Sequence, residues 1–254
     1  MKHKLLLLLC LTLVLSACTK DDSSTEANLK AANKQSTGSS ANDILSDDTY
    51  KSIVIELVYV EGYAPTETAI NNFVNFLKDH TYKPNGITVE ARAIASPGKL
   101  TFTTKEIAEI EEENRTLYNS ENQIAIWMFC VDGKSDQDDG DSIILGTAYR
   151  NTSFVIFEET IHSYSDNRFE PNRSTLESTV INHEFGHILG LTNLGTPMTE
   201  DHEDPEHKKH CEVESCLMYW AAESTASLGN LTTEGTVPQL DPLCIADLQA
   251  NGGK

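Results

Sequence analysis

Apolar and β-branched runs alternate with helical spacings along the chain from about residue 50. The run SIVIELVYV, Ser52–Val60, reads as a strand. Residues 66–80 follow Pro65 and set Ile70, Phe73, Val74 and Leu77 on one helical face. Residues 86–94 form a second strand, and residues 103–118 a helix that opens with Thr103 and Glu106 at capping-box spacing. NQIAIWMFCV, residues 122–131, is the most apolar run and is expected at the centre of a sheet. SIILGTAY and TSFVIFEETI are two more strands, the second expected as an antiparallel edge. A helix then covers PNRSTLESTVINHEFGHILG, with Ser174 and Glu177 again at capping-box spacing and Gly190 as its stop. Beyond Gly190 come loops, acidic clusters and one late helix near Pro242–Ala250. Strands alternating with helices imply an α/β (α+β) fold on a mixed, mostly parallel twisted sheet. Residues 49–190 would form the sheet subdomain and 191–254 a small, irregular C-terminal subdomain.

The chain ahead of this pattern differs in kind. Lys2 and Lys4 precede LLLLLCLTLVL, an eleven-residue apolar run that ends before the small residues Ser16 and Ala17. A membrane-spanning helix needs about 20 residues. The segment 1–17 therefore reads as a secretory signal peptide outside the fold. Residues 19–48 hold one Ile, two Leu and no aromatic residue. So little apolar surface predicts a flexible tether over 18–48. The remainder, 49–254, is long enough for one domain with a sizeable core.

Charge narrows the partners. The formal net charge is −20. That argues against nucleic acid, whose phosphates need Lys and Arg, and against docking on anionic lipid through a basic patch.

The chemistry concentrates in HEFGHILGLTN. His183 and His187 are four apart, so a helix sets both imidazoles on one face, where they can meet one zinc ion. Glu184 points beside that ion, where a carboxylate can act as base towards water.

Three resemblances extend these readings. LSAC resembles a bacterial lipobox, which implies lipid on Cys18 and cleavage before it. TKDD behind it resembles a signal for the outer face of the outer membrane. Together they imply an extracytoplasmic, lipid-anchored protein of the outer membrane or cell surface. HExxHxxG at His183, Glu184, His187 and Gly190 resembles the metzincin zinc metallopeptidases, whose signature continues to a third histidine and a later Met-turn. Asn193 stands where that histidine would fall. HCEVESCLM resembles the archaemetzincin branch, in which the third histidine directly precedes the first cysteine. That likeness spans about residues 180–220. It implies His210 as third ligand, displaced by 17 residues from position 193, and Met218 as the Met-turn residue. His202, flanked by carboxylates in TEDHED, is the alternative ligand, and His207 a third. The family resemblance further implies Zn2+, peptide or protein substrates, and a substrate strand laid along an edge strand, here TSFVIFEETI.

The chain departs from that branch by lacking the CxxC that completes a four-cysteine zinc site. An exported address favours disulfides among Cys130, Cys211, Cys216 and Cys244, with Cys211–Cys216 and Cys130–Cys244 as the expected pairs. Cys130 as a buried free thiol is the alternative. DGKSDQDDGD, Asp132–Asp141, reads as a solvated loop, with calcium as the rival reading. Histidines outside the catalytic set are candidates for a second, structural ion. The function expected is zinc-dependent peptide hydrolysis. The alternative is a non-catalytic surface binding lipoprotein on a degenerate metzincin scaffold, prompted by Asn193.

Overall fold

The computed structural model describes residues 28–139, 143–165, 167, 170–223 and 236–254. The expected signal peptide, residues 1–17, and Cys18 lie outside the described residues. Among those described, no helix is long and apolar enough to cross a membrane.

A five-stranded sheet forms the frame, in the order β2 (Ile87–Ile94), β1 (Ser52–Val60), β4 (Gln123–Val131), β7 (Ser153–Phe157) and β6 (Gly146–Arg150). The first four are parallel, and β6 runs antiparallel to β7. The strand read as central is central. Its residues alternate between two layers, so both faces must be apolar. Ile124, Ile126, Met128 and Cys130 face the layer of α1 (Ala41–Leu45), α2 (Glu67–His80), α5 (Arg173–Ile188) and α6 (Pro242–Ala250). Trp127, Phe129 and Val131 face the layer of α3 (Thr104–Asn114). Beside α3, β3 (Thr101–Phe102) and β5 (Lys134–Ser135) pair as a short ribbon.

Three expectations are corrected. The antiparallel edge is β6, not TSFVIFEETI. Every residue of β7 is buried, as suits an interior strand, and Glu158 already begins α4 (Glu158–Ser163). Residues 28–48 are not a tether where they are described. Ala41, Ile44 and Leu45 are buried, and so is Asn33. The Asn33 amide donates to Asn119 Oδ1 at 2.8 Å, Thr152 Oγ1 at 3.0 Å and the Ala125 carbonyl at 3.1 Å. Lys83 Nζ donates to the carbonyls of Asp43 at 2.9 Å and Tyr50 at 2.8 Å. Apolar composition missed this because the segment is held mainly by hydrogen bonds to buried polar groups. Finally, Ser174 and Glu177 form no capping box. Asn172 caps α5, accepting from the Ser174 amide at 3.0 Å. Glu177 is turned inward and accepts from the Thr66 amide at 2.8 Å. Thr66 in turn caps α2, and the expected Thr103–Glu106 box caps α3.

The helix carrying the two histidines is buried from Leu176 to Ile188. An edge-on aromatic triad fixes its depth. Phe185 lies 5.0 Å from Phe73 and 6.1 Å from Phe154, between ring centroids. Gly190 ends the helix at φ +75°, a left-handed conformation that any side chain would strain.

Candidate metal centre and its cleft

Burying polar side chains is costly unless something uses them. On α5 the buried polar set includes Asn182, His183, Glu184 and His187. The His183 and His187 rings stand 4.8 Å apart. His210 arrives from the loop side, 5.3 Å from His183 and 5.1 Å from His187. One ring nitrogen of each lies within 4.8 Å of the other two. The tautomers follow from the acceptors. His183 Nδ1–H donates to the Leu217 carbonyl at 2.7 Å, and His210 Nδ1–H to the Lys208 carbonyl at 3.0 Å. A carbonyl only accepts, so in both neutral rings Nε2 carries the lone pair.

His210 reaches this position because the insertion closes on itself. The Thr192 hydroxyl donates to the Lys209 carbonyl across 17 residues. Thr192, Asn193 and Lys209 all adopt positive φ, at +50°, +72° and +70°. The chain thus turns out of the helix end, runs through the insertion, and re-enters one residue before His210. Asn193 sits on the outside of this turn, exposed, with its amide 3.4 Å from Glu203 Oε2. Asparagine is among the few side chains that tolerate that backbone.

Two glycines shape the centre. A Cβ on Gly186 would stand 2.2 Å from Met218 Sδ, so the buried Met218 packs directly beneath α5. A Cβ on Gly146 would stand 2.7 Å from Glu184 Cγ and 2.9 Å from its Oε1. The bare backbone of β6 therefore leaves Glu184 its place. Glu184, His187 and His210 line a cavity of about 280 Å³, together with Gly146, Thr147 and Ala148 of the edge strand. Thr37 of the N-terminal segment lies on the cavity wall, its hydroxyl 3.5 Å from the Ala148 carbonyl.

The other two histidines go elsewhere, which corrects the alternatives. His207 stacks on Trp220, centroids 4.1 Å apart, and contacts Asp204 at 3.1 Å. His202 is buried in a separate cluster with Cys211, Asp241 and Cys244. The expected disulfides are absent: Cys130, Cys211, Cys216 and Cys244 are all free thiols. Cys130 is buried within the central strand β4, and Cys216 Sγ stands 3.7 Å from Cys244 Sγ, too far for a bond. His202 Nε2 meets Asp247 Oδ2 at 2.8 Å, which turns Nδ1 towards Cys211 Sγ at 3.4 Å. Hydrogen bonds from Cys216 and Cys244, with one from His202, draw the Cys211 thiol down towards thiolate, while Cys216 and Cys244 are raised by their bonds to Cys211. Burial alone would lower His202, but Asp247 and Cys211 more than offset it and its pKa rises.

The acidic loop is partly outside the described residues. Within it, Asp138 Oδ1 accepts the Ile144 amide at 2.9 Å. The sequence reading missed the roles of Gly146 and Gly186. The spacing of Gly186 inside HExxH marks it, but nothing local marks Gly146.

No known family model matches the chain, and no curated protein matches it in sequence. In three dimensions it is similar to archaemetzincin from Methanopyrus kandleri, with a TM-score of 0.52 and 15% identity, over 79% of this chain and 96% of that one. A zinc-dependent peptidase from Methanocorpusculum labreanum (strain Z) aligns with a TM-score of 0.49 and 11% identity, over 76% of this chain and 99% of that one. The likeness to the first is one of fold: the chain has an archaemetzincin-like, mostly parallel α/β fold.

Proposed function

We propose that this chain is a zinc-dependent peptide hydrolase, anchored by lipid on Cys18 and facing out of the cytoplasm at the outer membrane or cell surface. The observation that carries the activity is the meeting of three imidazoles, two of which line one cleft with Glu184. His183, His187 and His210 would hold the ion. Two of the three have Nδ1 tied to a carbonyl, which orients Nε2 as zinc sites require. A bound zinc supplies Lewis acidity towards water and towards the peptide carbonyl. Glu184 takes the proton of the attacking water and hands it to the leaving amine nitrogen. Gly146 lets the carboxylate lie against the edge strand while it does so.

The substrate is an extended peptide segment added to the edge of β6. The edge role first given to TSFVIFEETI passes to Gly146–Arg150. Beyond Ala148 the edge is bordered by the N-terminal segment, where the Asn151 amide donates to the Gln35 carbonyl at 3.0 Å. Pairing is therefore centred on Gly146 to Ala148. The binding-protein alternative loses its motive, because the Asn193 departure is bypassed by the return of the chain at His210.

The same reading includes a second, structural zinc held by His202, Cys211, Asp241 and Cys244, with Cys216 Sγ 3.7 Å from Cys244 Sγ beside it. Two thiols, one imidazole and one carboxylate are all zinc donor types, and Asp247 behind His202 orients its ring. The test is zinc per full chain by elemental analysis, wild type beside His210→Ala. One ion fewer in a folded His210→Ala protein, with loss of peptide cleavage, is the expected result. An unchanged ion count would rule out His210 as a ligand.

A further inference from the structure

A third group of ligand-type side chains lies apart from both clusters, and no part of the proposed chemistry uses it. Glu158 and His162 are one turn apart on α4, hence on one face. Glu177 reaches the same point from α5, seven residues and so about 10 Å before Glu184 along the helix axis. One ligand atom from each of Glu158, His162 and Glu177 lies within 4.8 Å of the others.

Glu158 makes the group unusual. It is 0% exposed, and neither carboxylate oxygen has a hydrogen-bond partner among the described residues. Among the described residues, His162 Nε2 lies 3.7 Å from its Oε2. A buried carboxylate without hydrogen bonds is costly. Among the described residues the group holds two carboxylates beside one guanidinium and one imidazole. Glu177 adds a second carboxylate, held through Oε2 by the Thr66 amide at 2.8 Å. Against these stands Arg173, whose Nη1 lies 3.1 Å from His162 Nε2 and whose Nε lies 3.7 Å from Glu177 Oε1. Burial and the Glu177 charge push the Glu158 carboxyl well above the usual range, with Arg173 only partly opposing them. Cys130 is raised by its burial and by the same two carboxylates, so its thiol stays neutral and adds no further negative charge.

We infer that Glu158, His162 and Glu177 form a further divalent-cation site, of the two-carboxylate, one-imidazole type suited to zinc. The donor set selects for a borderline transition ion, because imidazole is a poor ligand for calcium or magnesium. The ion brings two positive charges to two carboxylates. It displaces Arg173, which sits at the first residue of α5 with its side chain 36% exposed and so has room to swing into solvent. The site ties α4 to α5 and would steady the N-terminal half of the helix that carries His183, Glu184 and His187. It does not depend on the catalytic reading, since it shares no ligand with it.

The test is zinc stoichiometry on the full chain, loaded with zinc alone and freed of excess, with the fold checked by circular dichroism. Glu158→Gln keeps the shape of the side chain and is expected to carry one zinc fewer than wild type. His162→Gln, at a partly exposed position, is expected to show the same loss and serves if Glu158→Gln does not fold. The difference is expected to persist when both are compared in a His210→Ala background, which separates this site from the histidine centre. Arg173→Gln is expected to hold the ion about 10-fold more tightly in competition with a chelator, as removal of a competing cation should. Equal zinc in wild type and in either folded variant overturns the site, as does tighter chelator loss in Arg173→Gln.

Discussion

The hydroxyl of Thr192 donates to the carbonyl of Lys209, and this contact closes a long excursion between the helix end and His210. It makes two residues distant in sequence act as neighbours. Thr192→Val is expected to keep α5 folded yet weaken the zinc centre by about 10-fold, the lower end of what loss of a supporting hydrogen bond costs a metal site. Thr192→Ser should restore the affinity, because it restores the donor. Chelator competition on the three proteins measures both effects.

Gly186 and Met218 are packed so closely that a methyl group on the first would meet the sulfur of the second. Gly186→Ala forces Met218 and its neighbour Leu217 away from the helix. Leu217 carries the carbonyl that orients His183. The expected cost is about 1–3 kcal/mol, as for other overpacked cores, visible as a lower denaturant midpoint. Adding Met218→Ala should recover part of it by making room.

Gly146 leaves the space that Glu184 occupies. Gly146→Val puts a side chain where Glu184 Cγ and Oε1 now lie. The turnover number should fall by about 100-fold, the lower range for loss of a positioned acid–base group, while zinc content stays at the wild-type level. A loss of zinc instead would mean that the edge strand supports the ligands rather than the base.

Glu106 gives a pH-dependent prediction far from the centre. Its bond from Lys99, then those from the Thr103 amide and hydroxyl, push its carboxyl down from 4.5 to about 2. A depressed carboxylate stabilises the fold above its unfolded value and loses that contribution as pH falls towards its folded value. Glu106→Ala should therefore melt below wild type at pH 6, and the gap should narrow as pH falls from about 4.5. A gap that stays constant to pH 3 would show that the carboxylate charge is not what the capping box uses.

Local patterns in the chain were legible where the physics is local. β1 follows from its apolar, β-branched run and α2 from period-3.6 spacing, and the shared face of His183 and His187 is a property of helix geometry alone. β4 stands at the sheet centre because a run apolar at every position has no face for water. The misreadings involve contacts between distant residues. TSFVIFEETI seemed free to be an edge until GTAYR, its half-polar neighbour, took that place. The polar stretch before residue 49 is ordered through Asn33 and Lys83, whose partners lie far along the chain. Ser174 lost the cap because Glu177 found Thr66 instead. His202 carries the same flanking acids that suggested a metal role, but its partners, Cys211 and Asp247, could not be matched to it by spacing.

The most direct test of the account compares zinc-loaded wild type with zinc-loaded Glu184→Gln on an unstructured peptide mixture, with cleavage followed by mass spectrometry. The account predicts cleavage by wild type that a chelator abolishes, and a loss of at least about 100-fold in Glu184→Gln at unchanged zinc content. Equal cleavage by the two proteins, or an intact peptide mixture after incubation with zinc-loaded wild type, would contradict it.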